Sequence, residues 1–267
     1  MSEAENKVIV QRLEDVGVIR INRPEVRNVI DADVASSIER ALDEFEEAPE
    51  VRAIVLTGEG DKAFSAGMDL RAFARLGPRG GFFTEKGGFA GVVQRAFQKP
   101  FIVAANGLAM GGGMEIILAA DCTVAAQNAT FALPEVKVGM HAGGGGVIRL
   151  AKRIPRAVAL EMVMSGDQIG AERAHQLGLV NTVTPIGGAL DVAIAMAQRI
   201  AAASPTAVTV SRRLLLDSLN LPEEDGWDLN KAAARVVLKC EDAKEGPRAF
   251  MEKRKPVWAA PTQVILR

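Results

Sequence analysis

The sequence predicts an α/β protein with largely parallel strand pairing, and three observations carry that reading. Short β-rich runs alternate with helical patterns along the first half of the chain, no fixed-period repeat or low-complexity tract interrupts them, and from about Arg153 the pattern turns mostly helical. At 267 residues the chain can bury a sizeable core.

The segments KVIVQRL (7–13) and GVIRINR (17–23) read as a hairpin. Asp31 then stands at a helix N-cap, ahead of Val34, Ile38, Leu42 and Phe45, which recur at helical spacing. RAIVLTG (52–58) is the next strand, followed by a glycine-rich loop and a helix expected around Phe89 to Gln98. FIVAANG (101–107), DCTVAAQ (121–127) and ATFAL (129–133) read as strands. Between the first two of these, MGGGMEIILAAD (110–121) opens a helix. Helical patterns follow at 155–166, 189–205, 206–219 and 227–254, and no flexible linker divides them.

Charge and composition exclude several function classes. The 32 basic and 33 acidic residues leave a net charge of -1 without a clustered basic stretch, so nucleic acid is not favoured as a partner. Cys122 and Cys240 have no paired ligand spacing, which fits a reduced cytoplasm rather than a disulfide framework. The acidic opening MSEAENKVIV lacks the apolar core of a signal peptide, and no apolar run reaches the ~18 residues of a membrane span. The expectation is a soluble, cytoplasmic protein. Two isolated histidines, His141 and His175, do not make a His-rich metal site, and no metal is expected.

Three consecutive glycines before a helix need a reason, because glycine is roughly 1 kcal/mol worse than alanine at each helical position. Gly111, Gly112 and Gly113 lie where the chain leaves a strand and enters the helix carrying Glu115. A helix start offers unpaired N–H groups and partial positive charge to an oxyanion, and bare backbone allows close approach. A tight buried turn packed against a neighbour would demand the same glycines. Neither dinucleotide nor P-loop glycine motifs occur.

A second loop, DKAFSAGMDL (61–70), also follows a strand and sets Ser65, Ala66 and Gly67 before a helix start. With GLAMGGGMEIILAADCTVAAQNATFALPEVKVG and the downstream GLVN, it resembles the enoyl-CoA hydratase/isomerase family, also called the crotonase family, over nearly the whole chain. The resemblance implies a spiral of ββα units, with residues 1–200 forming the core and active site and 201–267 a helical trimerisation region. A homotrimer or a dimer of trimers is implied, with an acyl-CoA as substrate and no cofactor beyond that CoA.

By matched position, the backbone N–H groups of Met68 and Gly112 would hold the thioester oxygen as charge builds on it in an enolate. Donors of this kind are worth about 3–4 kcal/mol each. Hydratases of the family carry two glutamates, and this chain has acids at both positions, Glu115 and Glu135. Glu115 would activate the water and Glu135 would protonate the α carbon. On their own, Glu115 reads equally as a first-turn acid favoured by the helix dipole, and Glu135 as a solvated loop acid. Arg27, Ala66 and Arg71 fall at or beside nucleotide-contacting positions in relatives, and Gly67, Asp69, Gly111 and His141 complete the expected substrate-binding set.

Where many hydratases show a proline before a glycine pair, this chain has GMHAGGGGVIRL, and His141 there reads as an exposed loop histidine or as part of the site. The segments GPRGGFFTEKGGFAG, EMVMSG and CEDAKEGPRAFMEKRKPVW are closer to the carnitinyl-CoA dehydratase branch. That branch handles a trimethylammonium group, which favours aromatic faces or a carboxylate. Here Phe82, Phe83 and Phe89 read as hydrocarbon lining and the chain has no tyrosine. The expected activity is hydration of a trans-2-enoyl-CoA to a 3-hydroxyacyl-CoA, with carnitinyl-CoA dehydration or enoyl-CoA isomerisation as alternatives. Two other classes stay open: an acyl-CoA-binding subunit without catalysis, and a serine peptidase built on Ser65, for which no motif supplies a base.

Overall fold

The computed structural model describes residues 6–77 and 80–260. The expected hairpin forms from β1 (Val8–Leu13) and β2 (Val16–Ile21), closed by a two-residue turn with Glu14 at φ 55°. Asp31 caps α1 (Ala32–Glu47) by accepting from the Val34 N–H at 2.9 Å, and the helix buries all four expected apolar positions.

Three strand–strand–helix passages then build the spiral. β3 (Ala53–Gly58) leads to β4 (Ala63–Ser65) and α2 (Leu70–Leu76). After a short antiparallel pair, β5 (Phe83–Thr84) and β6 (Gly88–Phe89), β7 (Phe101–Ala105) leads to β8 (Leu108–Met110) and α3 (Gly112–Ala119). β9 (Cys122–Ala126) leads to β10 (Thr130–Ala132), a 3-10 turn at Pro134–Val138 and α4 (Gly146–Arg153). The first strand of each passage joins one sheet and the second joins another. The large sheet runs β1-β2-β3-β7-β9-β12, where β12 is Thr182–Thr184, and only β1 is antiparallel to its neighbour. The small sheet runs β11-β10-β8-β4, where β11 is Ile169–Gly170. α5 (Arg156–Ser165), α6 (Ala171–Gln176) and α7 (Ala189–Ala201) intervene.

Alternating side chains give the large sheet two apolar faces. Ile19, Ile54, Leu56 and Val103 face α1 and the small sheet, whereas Val18, Val55, Ile102 and Ala104 meet Ala189, Ala193 and Ala197 of α7. In the small sheet β4, β8 and β10 are mutually parallel, with Ser65 opposite Ala109 and Ala132 opposite Met110. Their C-terminal ends therefore emerge along one edge, and that edge carries the site.

The helix expected around Phe89 to Gln98 does not form. Gly88, Ala90 and Gly91 have φ of 66°, 57° and 73°, a left-handed run that an α-helix cannot contain. The segment is a string of turns, with the Gln94 N–H returning to the Gly87 carbonyl at 2.8 Å. The helical end of the chain comprises α8 (Pro205–Ser218), α9 (Glu223–Lys239) and α10 (Asp242–Met251). It is tied to the core by Arg212 to Asp121 at 2.7 Å and by the Trp258 indole donating to the Ala202 carbonyl at 2.8 Å. Leu215, Leu219, Leu238 and Phe250 remain exposed on it.

Candidate active site

Two loops at the ends of β4 and β8 touch each other. Gly67 has φ +83°, and a Cβ there would lie 2.7 Å from the Met110 carbonyl oxygen and 2.8 Å from the Gly112 nitrogen. Ser65 is buried, donates to the Asn28 carbonyl at 2.8 Å and accepts from the Gly67 N–H at 3.1 Å, so its hydroxyl braces the loop. That occupancy, with no histidine among its partners, removes the support for a peptidase nucleophile. The Ile30 N–H donates to Gly67, and the Asp69 N–H donates to Ile30. Between them the Met68 N–H has no acceptor among the described residues, and neither does the Gly112 N–H.

Each of the three glycines has its own reason. Gly111 sits at φ +54° and packs beside Glu135, whose Oε1 would lie 3.2 Å from a Cβ there. At Gly112 a Cβ would enter the Phe89 ring, and at Gly113 it would strike the backbone carbonyl of Ser65. The two readings of the triplet therefore coexist. Packing fixes the glycines, and the turn they allow leaves one N–H free.

Both free N–H groups line a cavity of about 590 Å³, together with Glu115, Glu135 and an apolar wall that includes Phe73, Phe82, Phe83 and Phe89. The Phe83 and Phe89 rings meet edge to face at 5.6 Å. Phe82 and Phe89 are buried, whereas Phe83 is half exposed.

The two carboxyl groups meet opposite surroundings. Glu115, buried on α3, accepts from the Gly146 N–H at 2.9 Å and from the Gly144 backbone. Burial pushes its pKa up, and the two amides, then Arg149 and His141, pull it back toward the ionised form. Glu135 leaves the end of β10 on the 3-10 turn, and its Oε2 is buried without a hydrogen-bond partner among the described residues. Burial, aided by the nearby Glu115 charge, pushes it up to about 7.

The remaining expected residues divide between this cavity and a neighbouring groove of about 840 Å³ that shares Ala66, Met68 and Leu70 with it. Arg27 and Arg71 lie exposed in the groove beside Lys7, Arg23 and Arg75, and neither forms an ion pair among the described residues. Asp69 also lines it, but its carboxylate caps α2 through the Arg71 and Ala72 N–H groups at 3.1 Å and stands 3.4 Å from Arg23. His141 is an exposed residue on the cavity wall. His175 lies elsewhere, its Nδ1 2.9 Å from the Val180 carbonyl. The sequence reading missed the amides of Gly144 and Gly146, although the run of four glycines was their signal. It also missed Lys137 and Met140 on the cavity wall.

The chain is similar over nearly its whole length to known proteins. The enoyl-CoA hydratase/isomerase family profile matches residues 11–261. A carnitinyl-CoA dehydratase of Salmonella paratyphi A is 42% identical over 246 residues, covering 90% of this chain and 93% of the relative. Among solved structures, an enoyl-CoA hydratase from Mycobacterium tuberculosis H37Rv superposes with a TM-score of 0.91 at 41% identity, covering 96% of this chain and 100% of that one. A carnitinyl-CoA hydratase from Mycobacterium avium gives 0.75 at 41% identity, with the same coverage.

Proposed function

The chain belongs to the enoyl-CoA hydratase/isomerase family, and from that premise we propose that it is a hydro-lyase that adds water reversibly across the 2,3 double bond of an enoyl-CoA, with Glu115 as base and Glu135 as acid. The observation that carries the assignment is the asymmetry of the two carboxyls around one cavity. Burial raises both, but two amides offset part of the rise on Glu115, whereas Glu135, without a donor to Oε2 among the described residues, is pushed up to about 7 and so holds its proton more readily.

The groove with Arg27 and Arg71 takes the CoA nucleotide, and the acyl chain lies against the phenylalanines. The Met68 and Gly112 N–H groups receive the thioester oxygen. Glu115 takes a proton from water as the water oxygen bonds to C3, electrons shift through C2 to the thioester oxygen, and the enolate collapses as Glu135 delivers its proton to C2. One water is added, and the proton now on Glu115 returns to Glu135 through solvent. No cofactor is required beyond the CoA of the substrate. Residues 201–267 serve as the assembly region of a cytoplasmic homotrimer or dimer of trimers in fatty-acid metabolism. The exposed apolar residues of α8 to α10 support the assembly. Among the described residues no helix is long and apolar enough to cross a membrane.

A second reading, carnitinyl-CoA dehydration, is favoured by the names of two relatives. Lys137 on the cavity wall is paired with Asp167 at 2.8 Å, so its charge is offset, and the phenylalanines and carboxyls of the cavity suit an apolar or a trimethylammonium chain alike. Hydration rates over a panel of enoyl-CoA thioesters decide between them. We expect a higher kcat/KM for crotonyl-CoA or longer chains than for crotonobetainyl-CoA. The reverse order assigns the chain to the carnitine branch, and no turnover of any thioester makes it a binding subunit.

A further inference from the structure

The loop that supplies both amides to Glu115 consists of four consecutive glycines, Gly143 to Gly146. Glycine loses more conformational freedom on ordering than any other residue, so this loop has little intrinsic reason to keep two N–H groups aimed at one carboxylate. Something else has to hold it. Arg149, one turn into α4, folds its side chain back over the loop: Nη1 donates to the Gly144 carbonyl at 3.3 Å and Nη2 donates to the Val93 carbonyl at 2.5 Å. The space it occupies is left by Gly145, which sits at φ +105° and whose Cβ would collide with Nη1. Arg149 is half-buried yet forms no ion pair among the described residues, and the carboxylate that attracts it is that of Glu115.

We propose that Arg149 is a positioning residue for hydration: its guanidinium staples the four-glycine loop to the turn at Val93, and so keeps the Gly144 and Gly146 amides on the Glu115 carboxylate. The inference rests on the reading of Glu115 as the base. A rigid fork suits the task, since the two carbonyls it bridges come from segments far apart in sequence and a lysine ammonium would reach them as a single point. Its charge acts in the same direction as its geometry, because Arg149 lowers the pKa that burial raises on Glu115. The other titratable groups at Glu115 are His141, on the loop before α4, and Glu135, on the 3-10 turn.

The test uses the full-length protein with Arg149→Met and Arg149→Lys, read by crotonyl-CoA hydration across pH and by carbon NMR titration of the Glu115 carboxyl. Arg149→Met should lower kcat about 10- to 100-fold with KM changed by less than about threefold. Its acid limb and the Glu115 titration should both move to higher pH, as expected when a neighbouring opposite charge is removed. Arg149→Lys should restore the titration and leave most of the kcat loss in place, a split that a purely structural defect would not produce. In a Glu115→Gln background, Arg149→Met should cost little more. An unmoved Glu115 titration in Arg149→Met overturns the proposal whatever Glu115 does in catalysis, and so does an undiminished loss in the Glu115→Gln background. If Arg149→Met does not fold, Arg149→Lys decides: reduced kcat with CoA affinity retained supports the staple, and wild-type kcat overturns it. Glu115→Gln alone keeping full hydration would instead refute the base reading, with the NMR titration still judging the staple.

Discussion

Two glycine loops border the cavity, and each lies against one glutamate. The triplet at 111–113 packs beside Glu135, makes no hydrogen bond to its Oε2 and leaves the Gly112 N–H without an acceptor. The quartet at 143–146 places two of its N–H groups on Glu115. The same residue type at the start of two helices thus keeps a donor free in one case and commits it in the other. The walls differ too. The triplet is confined by the Phe89 ring and the Ser65 carbonyl, whereas the quartet meets side chains, those of Glu115, Arg149, Leu133 and His141 among them. The amides of the neighbouring loop thus offset the burial of one carboxyl and not of the other, which is what the proposed split of base and acid needs.

The strongest way to break the comparison is to remove each carboxyl. Glu115→Gln and Glu135→Gln should fold and bind acyl-CoA yet lose about 10²- to 10⁴-fold in hydration. The double variant should fall well short of the product of the two losses, because groups serving one transition state act as a unit. Exchange of the saturated thioester's α proton with D₂O should be suppressed more by Glu135→Gln. In the wild type, hydration needs Glu135 protonated, so kcat/KM falls as pH rises through about 7, and α-proton exchange, which needs it ionised, rises over the same interval. With Glu115→Gln the charge that helps raise Glu135 is gone, and that limb moves to lower pH. Intact hydration in Glu115→Gln, with double-bond migration abolished in Glu135→Gln, would describe a one-glutamate isomerase instead.

The difference in walls is probed by a methyl group on each loop. A Cβ at Gly144 would lie 2.5 Å from the Glu115 Oε2, so Gly144→Ala should swing the carboxylate off its amides and cost about tenfold in kcat with the melting temperature little changed. Gly113→Ala forces a Cβ onto backbone and should destabilise the protein by about 1–3 kcal/mol, seen in thermal melts. Equal melting temperatures for the two variants would erase the distinction. The smallest effect belongs to Met68→Leu, a swap of similar volume at a residue assigned only a main-chain role. Most activity should survive, and abolished turnover in a folded, CoA-binding variant would show that the thioether takes part.

Much of this arrangement was legible in the sequence because its signals are local. Val34, Ile38, Leu42 and Phe45 announce α1 by spacing alone, Asp31 announces its cap, and the two donor loops stand out by their small residues. What was not legible depends on distant contacts. The apolar pattern at 89–98 suggested a helix because nothing in the identity of Ala90 reveals its φ of 57°, which tertiary packing imposes. The acid and base roles proposed for Glu135 and Glu115 rest on family resemblance, since the amides that separate them arrive from a loop some thirty residues away for Glu115. Arg149 gave no signal at all, because an arginine in the first turns of an amphipathic helix usually means a solvated face.

The close approach of Gly67 to the Gly112 nitrogen has a bearing on how such a protein can diversify. The gap between the Met68 and Gly112 N–H groups, the proposed oxyanion donors, is set by one loop resting on the other, with no side chain in between that could be exchanged for a longer or shorter one. Point substitutions cannot retune that spacing in small increments. Of the aromatic wall, the half-exposed Phe83 is the side chain that can change at least cost, since Phe82 and Phe89 are buried and Phe89 packs on Gly112. On the proposed assignment, the acyl groups accepted can therefore drift through Phe83, while the polarisation of the thioester is kept intact or lost outright.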